Sequence, residues 1–191
     1  MKLTIQQTEL ERGLSIVRRA VAGKTTLPVL HNVLLDTRVD ESLLTLSATN
    51  LELSLSVQVQ AKVTQGGSIT LPAALLSDYV HSLPAEPLTL ESDDRTGADL
   101  ACHGRKTKIR GIDAQEFPAL NIPHDLAWTT LPAEPLRYAI DAVGYAVAKD
   151  QARPILTGIY TRLGDDLLVV AASDGYRVAE CSVDVKGPMS G

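Results

Sequence analysis

Aromatic residues are scarce: the chain has one Trp, one Phe and five Tyr among 191 residues. Its core must therefore be built from Leu, Val, Ile and Ala. Only two cysteines are present, Cys102 and Cys181, in unrelated contexts and without CxxC spacing. Reduced cytoplasmic thiols are expected rather than a disulfide framework. No apolar run approaches the ~20 residues that span a bilayer. The opening segment, MKLTIQQTELERG, turns polar after one short apolar step, unlike a signal peptide. Positive charge is not in excess either. A net charge of −5 argues against a surface that coats nucleic acid throughout, though it leaves room for a local basic patch.

Catalytic signatures are equally sparse. There is no GxSxG elbow, no GxxxxGK[ST] loop and no GxGxxG turn. His31, His81, His103 and His124 are scattered, with no HxxxH or HExxH spacing that would set two ligands on one helix face. No metal or cofactor is implied. The acidic run ESDD at 91–94 reads as a solvated hairpin turn. Ser173 and Asp174 keep a hydrolase open as a minor alternative.

What is present is a repeat, which has to be sought before motifs. At an offset of 126, Leu10 matches Leu136, Val17 matches Val143, and Ala20-Val21-Ala22 matches Ala146-Val147-Ala148. Pro28 and Leu30 then match Pro154 and Leu156. After a two-residue deletion the register resumes, Leu43-Leu44 against Leu167-Leu168 and Ala48 against Ala172. A finer period lies inside it. Thr4-Ile5, Thr70-Leu71 and Thr130-Leu131 each precede an apolar anchor, Leu10, Leu76 or Leu136. Further apolar residues follow at +4 and +7: Leu14 and Val17, Val80 and Leu83, Ile140 and Val143. That spacing predicts one buried helix face in each unit. The segments 42–60 and 166–173 have the alternation and β-branched content of strands. Each unit therefore reads as strand, helix, then several strands, with units starting near residues 1, 67 and 127. The proline-bearing stretch AQEFPALNIPHD at 114–125 is the joint. A fourth unit would begin just past Gly191, so the second domain is expected to be incomplete, as in a fragment.

The segments MKLTI, TLPVLHNVLL, LSATNLELS, SITLPAALL, GIDAQEFPAL, ARPILTGIY and ASDGYRVAE resemble, in order, the bacterial DNA polymerase III beta-subunit (sliding-clamp) family. The resemblance covers essentially the whole chain. It implies an α+β DNA clamp fold of repeated β-α-β units, with helices on the pore side and sheets outside. Domain one would be 1–122, domain two would begin at 123–191, and domain three would be absent. It also implies a non-catalytic processivity factor that encircles duplex DNA as a homodimeric ring. The implied protein partners are the DNA polymerase III alpha subunit, the clamp loader and other clamp-motif proteins. A naturally short relative, binding proteins without encircling DNA, is the alternative.

Three sets of residues follow. Arg12 and Arg19 fall opposite the first apolar stripe, with Ser15 beside them, Arg18 on the flank and Lys24 in the next loop. A solvated helix face would look the same; the resemblance favours Arg12 and Lys24, and the helical wheel adds Arg19, as candidates for sequence-independent phosphate attraction. The outer faces of the other two helices carry Asp78 and His81, and Tyr138, Asp141 and Tyr145, which fit DNA poorly. Asp150 and Pro154-Ile155 likewise depart from the family's DNA-contacting residues. The resemblance further assigns Leu156, Thr157, Ser173, Gly175, Tyr176, Arg177 and Val178 to a pocket for short apolar peptides. An ordinary β-turn with an exposed Tyr is the plain alternative. Finally, it assigns Leu75, Tyr79, Leu83, Thr107 and Ile109 to subunit closure, with Leu83 and Ile109 equally readable as core.

Overall fold

A computed structural model describes residues 1–39, 42–92, 96–120, 130–150, 152–164 and 166–185. The chain divides into two units, Met1–Asn121 and Ile122–Gly191.

The first unit opens with β1 (Lys2–Gln6) and α1 (Gln7–Val17), which ends in a 3-10 turn at Arg18–Ala20. A second 3-10 turn, Pro28–His31, leads into β2 (Asn32–Arg38), β3 (Leu43–Thr49), β4 (Ser54–Gln60) and β5 (Lys62–Gln65). The pattern then restarts with β6 (Gly67–Pro72) and α2 (Ala73–His81), followed by β7 (Pro87–Glu91), β8 (Gly97–Cys102) and β9 (Arg105–Arg110). Two antiparallel sheets result, ordered β4-β3-β2-β6 and β5-β1-β7-β8-β9. Leu10, Leu14 and Val17 of α1, with Leu76 and Val80 of α2, sink into the core between them. Fully burying a leucine such as Leu10 contributes roughly 1.5–3 kcal/mol. Leu83, the +7 member of the middle stripe, lies past the end of α2 but is still buried. Gly13 shares the buried face of α1. A Cβ there would meet Leu46 Cδ1 at 2.6 Å and Val59 Cγ1 at 3.0 Å, so the helix lies flush on β3 and β4.

The second unit begins, among the described residues, with α3 (Ala133–Val143) and a 3-10 turn at Gly144–Ala146. A further turn, Pro154–Thr157, precedes β10 (Tyr160–Leu163), β11 (Leu167–Ser173) and β12 (Val178–Asp184), an antiparallel sheet in chain order. The strand expected ahead of α3 falls mostly on 121–129, outside the described residues; Thr130-Leu131 is not a strand.

The bounds of α1 and of both 3-10 turns recur 126 residues later, and those of β3 and β4 recur 124 residues later as β11 and β12. Backbone bonds repeat as well: Ala22 N–H donates to Leu30 O at 3.1 Å, and Ala148 N–H donates to Leu156 O at 3.0 Å. One expectation needs correcting. Ile140, the counterpart of Leu14, is 41% exposed, and α3 buries Ala139 in its place alongside the expected Val143. Leu14 is covered because α1 packs on α2 as well as on β3 and β4, whereas α3 packs chiefly on β11 and β12 within its unit.

Candidate functional site

Between β11 and β12 the chain turns through Ser173–Val178, and its geometry is fixed by side chains. The Tyr176 and Arg177 N–H groups both donate to Asp174 Oδ1 at 3.0 Å, and Gly175 N–H donates to Ser173 Oγ at 3.1 Å. Ser173 Oγ in turn donates to Arg177 O at 2.9 Å. These are the local turns that Asp and Ser favour. Gly175 takes a left-handed φ of 89°. The corresponding turn of the first unit is the same device. Asn50 Oδ1 accepts from Glu52 and Leu53 N–H, Thr49 Oγ1 accepts from Leu51 N–H, and Leu51 sits at φ 75°. A leucine in that region costs about 1 kcal/mol relative to glycine, so the second unit carries the relaxed copy.

Beside this turn lies an apolar groove of about 300 Å³. Its floor is small, built of Gly158, Ala171 and Ala172; its rim is large, built of Ile155, Leu156, Tyr160 and Val178. Register explains the opening, since Tyr160 pairs with Ala171 and Val178 with Ser173, so each large side chain faces a small one. Ile155 is 88% exposed and Val178 75%. Single exposed apolar residues are commonplace, but a clustered set lining a concavity marks a binding surface. Of the residues proposed from sequence, Leu156, Ser173 and Val178 line this groove. Gly175 and Tyr176 line an adjoining cavity, also about 300 Å³, that shares Leu156 and is more polar, with Asp150, Arg153 and Asp174 in its wall. Arg177 lies in neither. Its Nε donates to Asp174 Oδ2 at 2.9 Å, and its guanidinium stands 5.5 Å from the centre of the Tyr145 ring. Thr157 is turned away to its own backbone, donating to Pro154 O at 2.7 Å. Gly158 and Tyr160 went unnoticed in the sequence, and Ile155 was noted there only as a departure from the family's DNA-contacting residues; the signal was the large–small alternation across β10 and β11.

Asp174 is fully engaged. Bonds from the Tyr176 and Arg177 N–H groups, together with the Arg177 guanidinium, hold its carboxyl below the usual aspartate range. With Ser173 and Asp174 both committed to the turn, neither is free to act as nucleophile or base. Among the described residues no group of three or more His, Cys, Asp or Glu could hold a metal ion. His31 contacts Ala22 O, His81 pairs with Glu11 and His103 with Glu86, while His124 and the last two residues of the ESDD run lie outside the described residues. No helix of the described residues is long and apolar enough to cross a membrane.

The cations of α1 differ in availability. Arg12 is paired with Glu9 at 2.8 Å, and Arg18 approaches Asp78 at 3.8 Å across the α1–α2 groove. Arg19 and Lys24 are exposed and form no ion pair among the described residues. In the same groove His81 Nδ1 meets Glu11 Oε1 at 2.6 Å, and Gln7 donates to both Glu11 and Val80 O. The bonds from His81 and then Gln7 hold the Glu11 carboxyl below its usual value.

The third set is divided by burial. Leu75 is 54% exposed, and Tyr79 and Thr107 are half-buried. Leu83 and Ile109, readable from sequence as interface or core, are buried in the core: Ile109 points inward opposite Ala98, while Lys106, Lys108 and Arg110 alternate outward. The Tyr79 hydroxyl is buried without a partner among the described residues, and burial raises its pKa. β9 is the outermost strand of its sheet.

The family model of the DNA polymerase III beta subunit N-terminal domain matches residues 1–121, and that of its central domain matches 130–190. A beta sliding clamp of Synechocystis sp. is 38% identical over 185 residues, covering 94% of this chain and 47% of that protein. A beta sliding clamp of Synechococcus elongatus is also 38% identical, over 180 residues, with 94% and 48% covered. Among solved structures, the DNA polymerase III subunit beta of Pseudomonas aeruginosa superposes with a TM-score of 0.87 at 30% identity, over 98% of this chain and 51% of that one. A sliding clamp of Bartonella birtlesii, solved bound to griselimycin, superposes at 0.87 with 27% identity, over 96% and 50%. The chain spans about half the length of the curated relatives it matches.

Proposed function

Because the chain belongs to the DNA polymerase III beta-subunit family, we propose that it works as part of a ring-forming sliding clamp, the processivity factor of bacterial DNA replication. Residues 1–122 serve as the first clamp domain and 123–191 open the second. The observation that carries this reading is the recurrence of one helix–turn–strand block in the same register, supported by matches to two consecutive domains of the family. A subunit made of copied blocks can present one helix face repeatedly to the inside of a closed ring.

Duplex DNA is then held by charge and not by base readout. Long-range attraction to phosphates permits sliding because it fixes no register. Arg19 and Lys24 supply that attraction directly, and Arg12 once its bond to Glu9 gives way. The apolar groove at Ile155, Leu156, Tyr160 and Val178 takes the extended peptides of the DNA polymerase III alpha subunit, the clamp loader and other clamp-motif proteins, with Gly175, Tyr176 and Arg177 at its border. Such a site relies on a few apolar anchors inside a tolerant rim. Closure into a homodimer uses the β9 edge with Leu75, Tyr79 and Thr107. The protein makes or breaks no bond itself. It tethers a polymerase and so raises its effective concentration at the primer terminus, in the cytoplasm.

Protein expressed from the complete reading frame should lengthen the products of each polymerase binding event on primed circular DNA. It should also stay on closed circles and slip from linear duplex. Unchanged product length, or equal retention on both forms, would sink the reading.

A further inference from the structure

Tyr145 has no evident structural duty. It lies in the 3-10 turn after α3, 61% exposed and outside the apolar core of its unit. Yet its ring faces the Arg177 guanidinium at 5.5 Å, a cation–π distance. Arg177 is thus held from two directions, by the Tyr145 ring and by Asp174 Oδ2 at 2.9 Å. Asp174 is itself fixed by the turn, through the Tyr176 and Arg177 N–H groups. The bond to Asp174 uses Nε, which leaves the Nη donors for a ligand.

The repeat gives this contact a meaning. Counting back 126 residues, Tyr145 occupies the place of Arg19; counting back 124, Arg177 occupies the place of Leu53. In the first unit the helix turn carries the cation and the loop carries an apolar side chain. In the second unit the two chemistries are exchanged, and the cation stands next to Val178 at the groove.

We propose that Tyr145 is a positioning residue that braces Arg177, so that the guanidinium meets a carboxylate or backbone carbonyl of a peptide whose apolar side chains fill the groove. This rests on the reading of the groove as the partner-peptide site. An unbraced arginine this exposed would sample many rotamers and lose entropy on binding. An exposed cation–π contact corresponds to a change of about 2–5-fold in Kd.

The test uses protein from the complete reading frame and a fluorescein-labelled octapeptide with two leucines and one aspartate, followed by anisotropy. Tyr145→Ala should weaken binding about 2–5-fold and Tyr145→Phe should restore it, because the ring is retained. Arg177→Ala should weaken binding at least as much. Tyr145→Ala added to Arg177→Ala should then cost nothing further, the signature of two residues acting through one contact. A Tyr145→Ala penalty that persists without Arg177, or that Tyr145→Phe fails to relieve, overturns the proposal. Val178→Asp checks the groove separately. If it leaves affinity unchanged, the peptide-site reading fails, whereas a brace that fails alone leaves the Val178→Asp effect in place. No binding to the unaltered protein overturns both.

Discussion

Replacing Gly13 by alanine tests how closely α1, the bearer of Arg12 and the turn with Arg19, is seated on its sheet. On propensity alone, glycine to alanine inside a helix is a gain of about 1 kcal/mol. Here the new methyl would stand 2.6 Å from Leu46 Cδ1 and 3.0 Å from Val59 Cγ1. Leu46 is fully buried and Val59 is 1% exposed, so neither can swing into solvent. Overpacking of such a site costs roughly 1–3 kcal/mol. The strain offsets the helical gain and can exceed it, leaving a net loss of up to about 2 kcal/mol and a fall of up to about 8 °C in Tm. Gly23 supplies the opposite control: a Cβ there meets nothing within 4 Å, and its φ is not left-handed. Gly23→Ala should stabilise by roughly 0.4–1 kcal/mol through the unfolded state. Calorimetry or urea denaturation followed by circular dichroism reads both. In a Leu46→Val background, which trims the clashing methyl, the Gly13→Ala penalty should shrink toward a gain. The reasoning is refuted if Gly13→Ala stabilises as Gly23→Ala does, or if its penalty is indifferent to Leu46→Val.

Titrating duplex-DNA affinity against salt, with protein from the complete reading frame, should show Arg19→Ala and Lys24→Ala each lowering the log–log slope by about 1. Arg12→Ala should lower it less, and Glu9→Gln should steepen it by freeing Arg12; equal slopes for all four would contradict the ion-pair geometry. Tyr79→Phe removes a buried hydroxyl without a partner and should raise stability by about 1 kcal/mol by urea denaturation; a loss would mean the hydroxyl has a partner. Because the Asp174 pKa is lowered in the folded turn, its contribution is present above the unfolded value and disappears only as pH falls through the folded one. Amide protection of Tyr176 and Arg177 should therefore persist as pH drops through the ordinary aspartate range and collapse below it, while Asp174→Asn should flatten that profile.

The offset of 126 was legible because Leu, Val, Ala and Pro recur as the same letters, and those letters are what a buried stripe and a fixed turn demand. The twin turns were not legible past Ala48 and Ala172. Thr49 and Ser173, Asn50 and Asp174, Leu51 and Gly175 do the same work with different letters, since a hydroxyl and a short acceptor suffice. Ile140 misled because a 3.6-residue period marks the face a helix would bury, while the neighbours decide how much of it is buried. Leu83 and Ile109 stayed open between core and interface, since a lone isoleucine in RKTKIR fits either equally well until its strand is placed in a sheet. The groove was expected only by resemblance, and its floor of Gly158, Ala171 and Ala172 was not legible, because small residues announce themselves only when the large ones across the ladder are known.

β9 ends its sheet with Arg105, Lys106, Lys108 and Arg110 along six residues. Two such rims brought together head to head would lay like charges against one another, and cross-strand repulsion of that kind is destabilising, whereas a head-to-tail joint sets the rim against a different surface. The border therefore refuses its own image. A strand rich in carboxylates would meet no such repulsion, so sign sorts the surfaces that could dock before shape is consulted.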